Sequence, residues 1–194
     1  MARRVPFAVL ISGRGSNMAA LLDAVRDPDF PAAPVLVLAN RADAAGLGRA
    51  AQAGVRTRVI SHKAYPDRQS FEADLHAALV DAGAELVCCA GFMRVLTEGF
   101  VDRWAGRLIN IHPSLLPKYR GLHTHQRAID AGDAEHGCTV HYVTAGVDEG
   151  PIIGQAKLTV HAEDTADTLA DRVLALEHRL YPECLAKVAR GLSV

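Results

Sequence analysis

Short β-rich runs alternate with stretches of helical spacing over the first two thirds of the chain, and this rhythm constrains the fold more than any other feature. Phe7-Ala-Val-Leu-Ile11, Val35-Leu-Val-Leu-Ala39 and Leu86-Val-Cys-Cys-Ala90 carry no charged residue, and Arg56-Thr-Arg-Val-Ile60 is a further β-rich run. Between them lie helical patterns through Met18, Leu21, Leu22 and Val25, over residues 44–53, and over about 68–82, the last two followed by Gly54 and Gly83. Continuous apolar strands separated by helices predict a parallel sheet buried on both faces, because each crossover helix covers one face. With a 49% hydrophobic fraction and only 5% aromatic residues, the core must be built from Ala, Val, Leu and Ile.

The rhythm changes after Leu108-Ile-Asn-Ile111. Thr139-Val-His-Tyr-Val143 alternates apolar and polar residues, and a second β-rich run covers 152–160 across a turn holding Gly146, Gly150 and Pro151. No helix fits between these two runs, so they are expected to pair antiparallel. A long amphipathic helix is predicted over about 165–189. The expected fold class is therefore α/β: a Rossmann-like, mostly parallel twisted sheet flanked by helices, with an antiparallel strand pair in the C-terminal half. One domain over 1–194 is the expectation for 194 residues without linker, repeat or low-complexity stretch.

Twenty-one basic residues stand against 22 acidic ones, a net charge of −1, so global charge draws the protein neither to nucleic acid nor to an anionic membrane. An anionic ligand must be held locally. The N-terminus shows no signal-peptide pattern, and no apolar stretch approaches the ~20 residues a membrane span needs. Cys88, Cys89, Cys138 and Cys184 form no Cys-x-x-Cys pair and read as small hydrophobes in a reducing compartment. A cytoplasmic protein is expected.

Gly13-Arg-Gly15-Ser16-Asn17 lies between the first strand and the first helix. Two glycines let the backbone approach a ligand, and the first amides of the helix carry partial positive charge, so phosphate is the natural occupant. Ser16 and Asn17 add hydrogen-bonding side chains that can also cap the helix. A tight turn with a capped helix is the alternative. A dinucleotide reading is disfavoured, since Met18 takes the place of the third glycine and Asn40, not an acid, ends the second strand.

Asn110 and His112, two apart on a strand, project from one face where Pro113 and Pro117 end regular pairing. The carboxyl ends of strands in open α/β sheets form the ligand crevice. An amide donor beside an imidazole can stabilise an oxyanion and manage a proton, although a capped turn with a hydrogen-bonded histidine fits the same residues. No Ser or Cys nucleophile motif accompanies them.

The segment Asn110-Ile-His-Pro-Ser-Leu-Leu-Pro-Lys-Tyr-Arg-Gly-Leu-His-Thr-His125 resembles the signature of the folate-dependent glycinamide ribonucleotide formyltransferases. Ser12-Gly-Arg-Gly-Ser-Asn17 resembles that family's substrate-phosphate loop, Ala90-Gly-Phe-Met-Arg-Val-Leu96 its folate-binding strand end, and Thr144-Ala-Gly-Val-Asp148-Glu-Gly-Pro151 the loop carrying its catalytic aspartate. The resemblance implies direct attack of a glycinamide amine on the formyl carbon of 10-formyltetrahydrofolate, a co-substrate, with no metal. It implies that Asn110 donates to the oxyanion, that His112 stabilises it and assists proton transfer, and that Asp148 supports His112 and orients a bridging water. Residues about 1–100 would form the phosphate-binding half and about 101–194 the catalytic and folate-binding half.

By the same resemblance, Gly15, Ser16, Asn17 and Glu177 bind the ribonucleotide. Arg68, Met93, Arg94, Val95, Leu96, Asn110, Thr144, Ala145, Gly146, Val147 and Asp148 bind the folate. Read from the residues alone, Glu177 belongs to the polar side of the last helix, Arg68 is a solvated charge, and Asp148 is a turn residue that sequence cannot separate from Glu149. His123-Thr-His125 lacks a third ligand at metal-binding spacing. His62, His76, His136, His141, His161 and His178 read as ordinary histidines. The expected partners are small molecules, with no nucleic acid and no membrane, and the chain is expected as monomer or homodimer. A formyltetrahydrofolate hydrolase, a methionyl-tRNA formyltransferase domain and a nucleotide-binding dehydrogenase or module are the competing readings.

Overall fold

The structure, a computed structural model, describes residues 3–192; the first two and last two residues of the expected 1–194 domain lie outside the described residues. Seven strands form a single sheet in the order β3-β2-β1-β4-β5-β6-β7. They are β1 (Val5–Ile11), β2 (Ala32–Ala39), β3 (Thr57–Val59), β4 (Leu86–Cys89), β5 (Leu108–His112), β6 (Glu135–Tyr142) and β7 (Ile152–Thr159). β1, β2, β3, β4 and β5 pair parallel, whereas β5–β6 and β6–β7 pair antiparallel. The expected antiparallel pair is present, and it joins the parallel sheet through β5.

Six α-helices accompany the strands: α1 (Ser16–Ala24), α2 (Gly46–Gln52), α3 (Arg68–Asp81), α4 (Glu98–Arg103), α5 (Thr124–Asp130) and α6 (Ala166–Leu192). Alternate residues of each central strand feed two cores on opposite faces. Val9, Ile11, Cys88 and Ile109 pack with Met18, Leu21, Val173 and Tyr181 beneath α1 and α6. Ala8, Leu10, Leu38 and Val87 pack with Phe71, Leu75, Phe100 and Trp104 beneath α3 and α4. The four cysteines are buried and free, and burial pushes the Cys89 thiol up to about 12, as suits a packing role.

Three details add to or correct the sequence reading. β3, in the further β-rich run, is an exposed edge strand, with no strand paired beyond it among the described residues. The short helices α4 and α5 carry too few turns for a hydrophobic period to show in the sequence. The helix start at the glycine loop is capped differently from the expectation. Gly15 is its N-cap, at φ 70, with no side-chain capping bond, so neither Ser16 nor Asn17 caps it.

Candidate active site

The carboxyl ends of β1, β4 and β5 open onto two adjoining cavities. The first, about 520 Å³, is lined by Gly13 to Asn17, with Asn40, His62 and Arg94 around it. Gly15 is required here for two reasons. Its left-handed backbone suits glycine, and a Cβ would lie 2.8 Å from the Gly46 Cα, because α1 and α2 meet at that point. Without a side-chain cap, the first-turn amides of α1 remain available to an anion. Ser12 is pinned behind the loop: its hydroxyl donates to Asn40 Oδ1 (2.7 Å) and accepts from the Met93 amide (2.8 Å). Asn40 thus orders the loop, a role distinct from the ribose-holding acid of dinucleotide folds.

The second cavity, about 640 Å³, shares Asn17, Gly91, Met93 and Arg94 with the first. Asn110 and His112 stand in its wall, and Asp148 reaches them from the β6–β7 connection. His112 faces an oxygen at each ring nitrogen: Nε2 lies 2.9 Å from the Tyr119 carbonyl and Nδ1 lies 3.3 Å from Asp148 Oδ2. The same carboxylate oxygen accepts from the Gly121 amide at 2.9 Å. Burial alone would raise the Asp148 carboxyl, but the His141 contact, the Gly121 amide and the two rings outweigh it and hold it below its ordinary value. Asp148 takes up a left-handed backbone conformation, φ 53, which Asp tolerates better than most residues. Glu149, one residue on, pairs instead with Arg120 at the surface. The structure therefore separates two carboxylates that the residues alone left equivalent, and the one beside His112 is the one the resemblance named.

Around this polar centre the cavity is apolar. Met93, Val95, Leu122 and Val147 are four of the seven large hydrophobics that stay exposed among the described residues, and all four line it. Residues 94–96 and 144–148 also line it, and their main-chain groups form no hydrogen bond of their own among the described residues. Such a cavity suits a flat, polar-edged ring system. Glu177 lies at the boundary of the two cavities. It is buried rather than solvated, it accepts from Asn17 Nδ2 at 2.6 Å, and burial pushes its carboxyl up against that hydrogen bond. The Asn17 Oδ1 beside it has no hydrogen-bond partner among the described residues, a buried acceptor free for a ligand donor.

A family model described as formyl transferase matches residues 5–185. The chain belongs to the formyl transferase family. It is 46% identical over 183 residues to the phosphoribosylglycinamide formyltransferase of Escherichia coli (strain K12), covering 94% of this chain and 86% of that one. It is 49% identical over 194 residues to the trifunctional purine biosynthetic protein adenosine-3 of Drosophila melanogaster, but spans only 14% of that protein's length. The crystal structure of phosphoribosylglycinamide formyltransferase from Brucella melitensis superposes with a TM-score of 0.93 at 49% identity, covering 96% of each chain. The formyltransferase fold expected from the sequence is the fold observed.

Most of the expected site residues converge on the two cavities. Gly15 and Ser16 line the first, and Asn17 lines both. Met93 to Leu96, Asn110, His112, Thr144 to Asp148 and Glu177 line the second. Arg68 is not brought to them: it is exposed at the start of α3, behind the Asp67 N-cap, and lines neither cavity. His123 and His125 line the second cavity, and His125 Nδ1 meets His136 Nε2 at 3.2 Å.

One residue of this cluster escaped the sequence reading. His141 is not an ordinary histidine. It is buried against the centre, with Nε2 3.2 Å from Asn110 Nδ2 and 3.6 Å from Asp148 Oδ1. The usable signal was the alternation of residues 139–143, which puts His141 on one face of its strand. Only the register Asn110↔His141 reveals that this face is the site.

Proposed function

We propose that this chain transfers the formyl group of 10-formyltetrahydrofolate to the amine of glycinamide ribonucleotide, a step of purine biosynthesis. The observation that carries the reading is the position of Asn110, His112 and Asp148 in the wall of the apolar cavity, next to an uncapped glycine loop suited to phosphate. The names of the family relatives agree with it.

The ribonucleotide phosphate is held by the amides at Gly15, Ser16 and Asn17, and its ribose by Glu177. The folate ring lies in the second cavity against the main chain of residues 93–96 and 144–148, and this folate, the co-substrate, supplies the formyl group. Arg68 reaches the folate's benzoylglutamate end from outside the cavity. As the amine attacks, the formyl carbonyl's electron pair moves onto oxygen. Asn110 donates a hydrogen bond there, a contribution worth ~10²–10³ in rate for one oxyanion donor. His112, as imidazolium, places positive charge beside that oxygen and gives its proton to the leaving nitrogen, and the proton lost by the amine returns to the ring through a water that Asp148 orients while offsetting the charge. No side chain forms a covalent bond with the substrate. No metal is used.

No helix among the described residues is long and apolar enough to cross a membrane. A cytoplasmic enzyme with small-molecule partners, acting as monomer or homodimer, fits the reading.

The deciding experiment is a formyl-transfer assay with 10-formyltetrahydrofolate, run with and without glycinamide ribonucleotide. Tetrahydrofolate and formylated ribonucleotide are expected in equal amounts, and only with the amine present. Equal folate turnover without it would make the chain a hydrolase.

A further inference from the structure

The His141 ring is 2% exposed, and its two nitrogens meet unlike neighbours. Nδ1 lies 2.9 Å from the Tyr142 carbonyl. A carbonyl oxygen can only accept, so the Nδ1 position carries the proton. In the neutral ring Nε2 is then a lone pair. Facing that lone pair are Asn110 Nδ2 at 3.2 Å and Asp148 Oδ1 at 3.6 Å. A lone pair accepts from the amide nitrogen. The Asp148 oxygen lies beyond hydrogen-bond range, so the Asn110 amide is the hydrogen-bond partner of Nε2, while carboxylate and ring act on one another at a distance. The β5–β6 register sets Asn110 directly opposite His141, so the contact is built into the sheet.

Among the described residues, the Asn110 side chain forms no other hydrogen bond. Its two ends have nearly the same shape, and either would fill the same space. The direction of this amide nevertheless decides the chemistry. With Nδ2 toward His141, one N–H is spent on the ring and the second stays available to an oxygen in the cavity. Turned round, the amide would set Oδ1 against the Nε2 lone pair and bring its oxygen where an N–H is needed.

We propose that His141 is a positioning residue: its Nδ1-protonated tautomer, fixed by the Tyr142 carbonyl, holds the Asn110 amide with its N–H groups toward the reacting oxygen. The catalytic consequence rests on the formyl-transfer reading above, whereas the tautomer does not.

Two measurements test this. The first is nitrogen-15 NMR of the imidazole nitrogens in the wild-type protein, at a pH where the His141 ring is neutral. A protonated Nδ1 and bare Nε2 are expected, and the opposite tautomer would overturn the proposal whatever reaction the protein catalyses. The second is a kinetic cycle. His141→Leu should lower kcat by about 10–100-fold, within the range of a misplaced oxyanion donor, with KM for either substrate changed by less than about threefold. His141→Gln, whose terminal oxygen reaches the position of Nε2, should recover part of the loss. In an Asn110→Ala background, His141→Leu should cost nothing more, because the group it orients is gone. Losses that multiply in the double variant would show an independent role and sink the proposal. Should the leucine variant not fold, the tautomer and the glutamine variant decide. Absence of formyl transfer in the wild type would refute the function while leaving the tautomer assignment standing.

Discussion

The glycine loop and the Asn-His-Asp cluster adjoin one another but are built in opposite ways. The loop is local: Ser12 to Asn17 run continuously from β1 into α1, and the left-handed turn at Gly15 leaves the first-turn amides uncapped within one strand–helix joint. The centre is assembled. Asn110 and His112 come from β5, His141 from β6, Asp148 from the connection before β7, and the Gly121 amide from the segment leading to α5. A local site is robust to distant change and sensitive to its own backbone geometry. An assembled one brings together groups distant in sequence but depends on strand register and on carboxylates that must face one way.

The sharpest way to break this contrast is Asp148→Asn. It keeps the shape but removes the charge shared by His112, His141 and the Gly121 amide. Turnover is expected to fall by ~10²–10³ or more, with ribonucleotide KM little changed, since one group is lost from an electrostatically coupled centre. Steady-state kinetics with both substrates varied checks it, and a mere KM effect would mean that the two regions are not separable.

Gly15→Ala attacks the other region. The left-handed backbone and the 2.8 Å approach to Gly46 make any side chain strained. About 1–3 kcal/mol of stability should be lost from the strained residue alone, and the ribonucleotide KM should rise at least about tenfold. Thermal unfolding and KM measured together would show whether the loop acts through binding, as expected, or through kcat.

A smaller effect concerns β6, the strand that also carries His141. Burial, followed by the neighbouring His125 charge, pushes His136 down to about 4 from 6.5. The folded value lies below the unfolded one, so the unfolded chain binds the proton more tightly in between. Its stability contribution is complete above about 6.5 and is lost as pH falls toward about 4. Melting temperature should therefore drop by several degrees between pH 7 and pH 5, and His136→Asn should flatten that dependence. A wild-type curve no steeper than the variant's would remove His136 from the account.

Glu149→Gln should have the smallest effect. Its partner Arg120 is exposed, and surface pairs of this kind contribute ~0–1 kcal/mol. Turnover within about twofold of wild type would confirm that only one of the two adjacent acids belongs to the centre.

Much of this was legible in the chain itself. Apolar runs such as Phe7-Ala-Val-Leu-Ile11 declare buried parallel strands, and Gly13-Arg-Gly-Ser-Asn17 between strand and helix declares a tight turn that leads into α1. Asn110 and His112 share a face because a strand has a period of two. These are consequences of local sterics and local hydrophobic pattern, which a sequence carries explicitly. The direction in which Ser16 and Asn17 spend their side chains was not among them. Asn17 turns to Glu177, 160 positions away, and capping falls to Gly15.

What only the tertiary structure decided is of that long-range kind. The opposition of His141 to Asn110, the choice of Asp148 over Glu149, the burial of Glu177 and the absence of Arg68 from both cavities follow from how β5, β6, α3 and α6 pack. A single residue of register would turn His141 to the other face of the sheet. The residue types were written in the sequence, but register is set by many weak pairings acting together, so the partner each one meets was not.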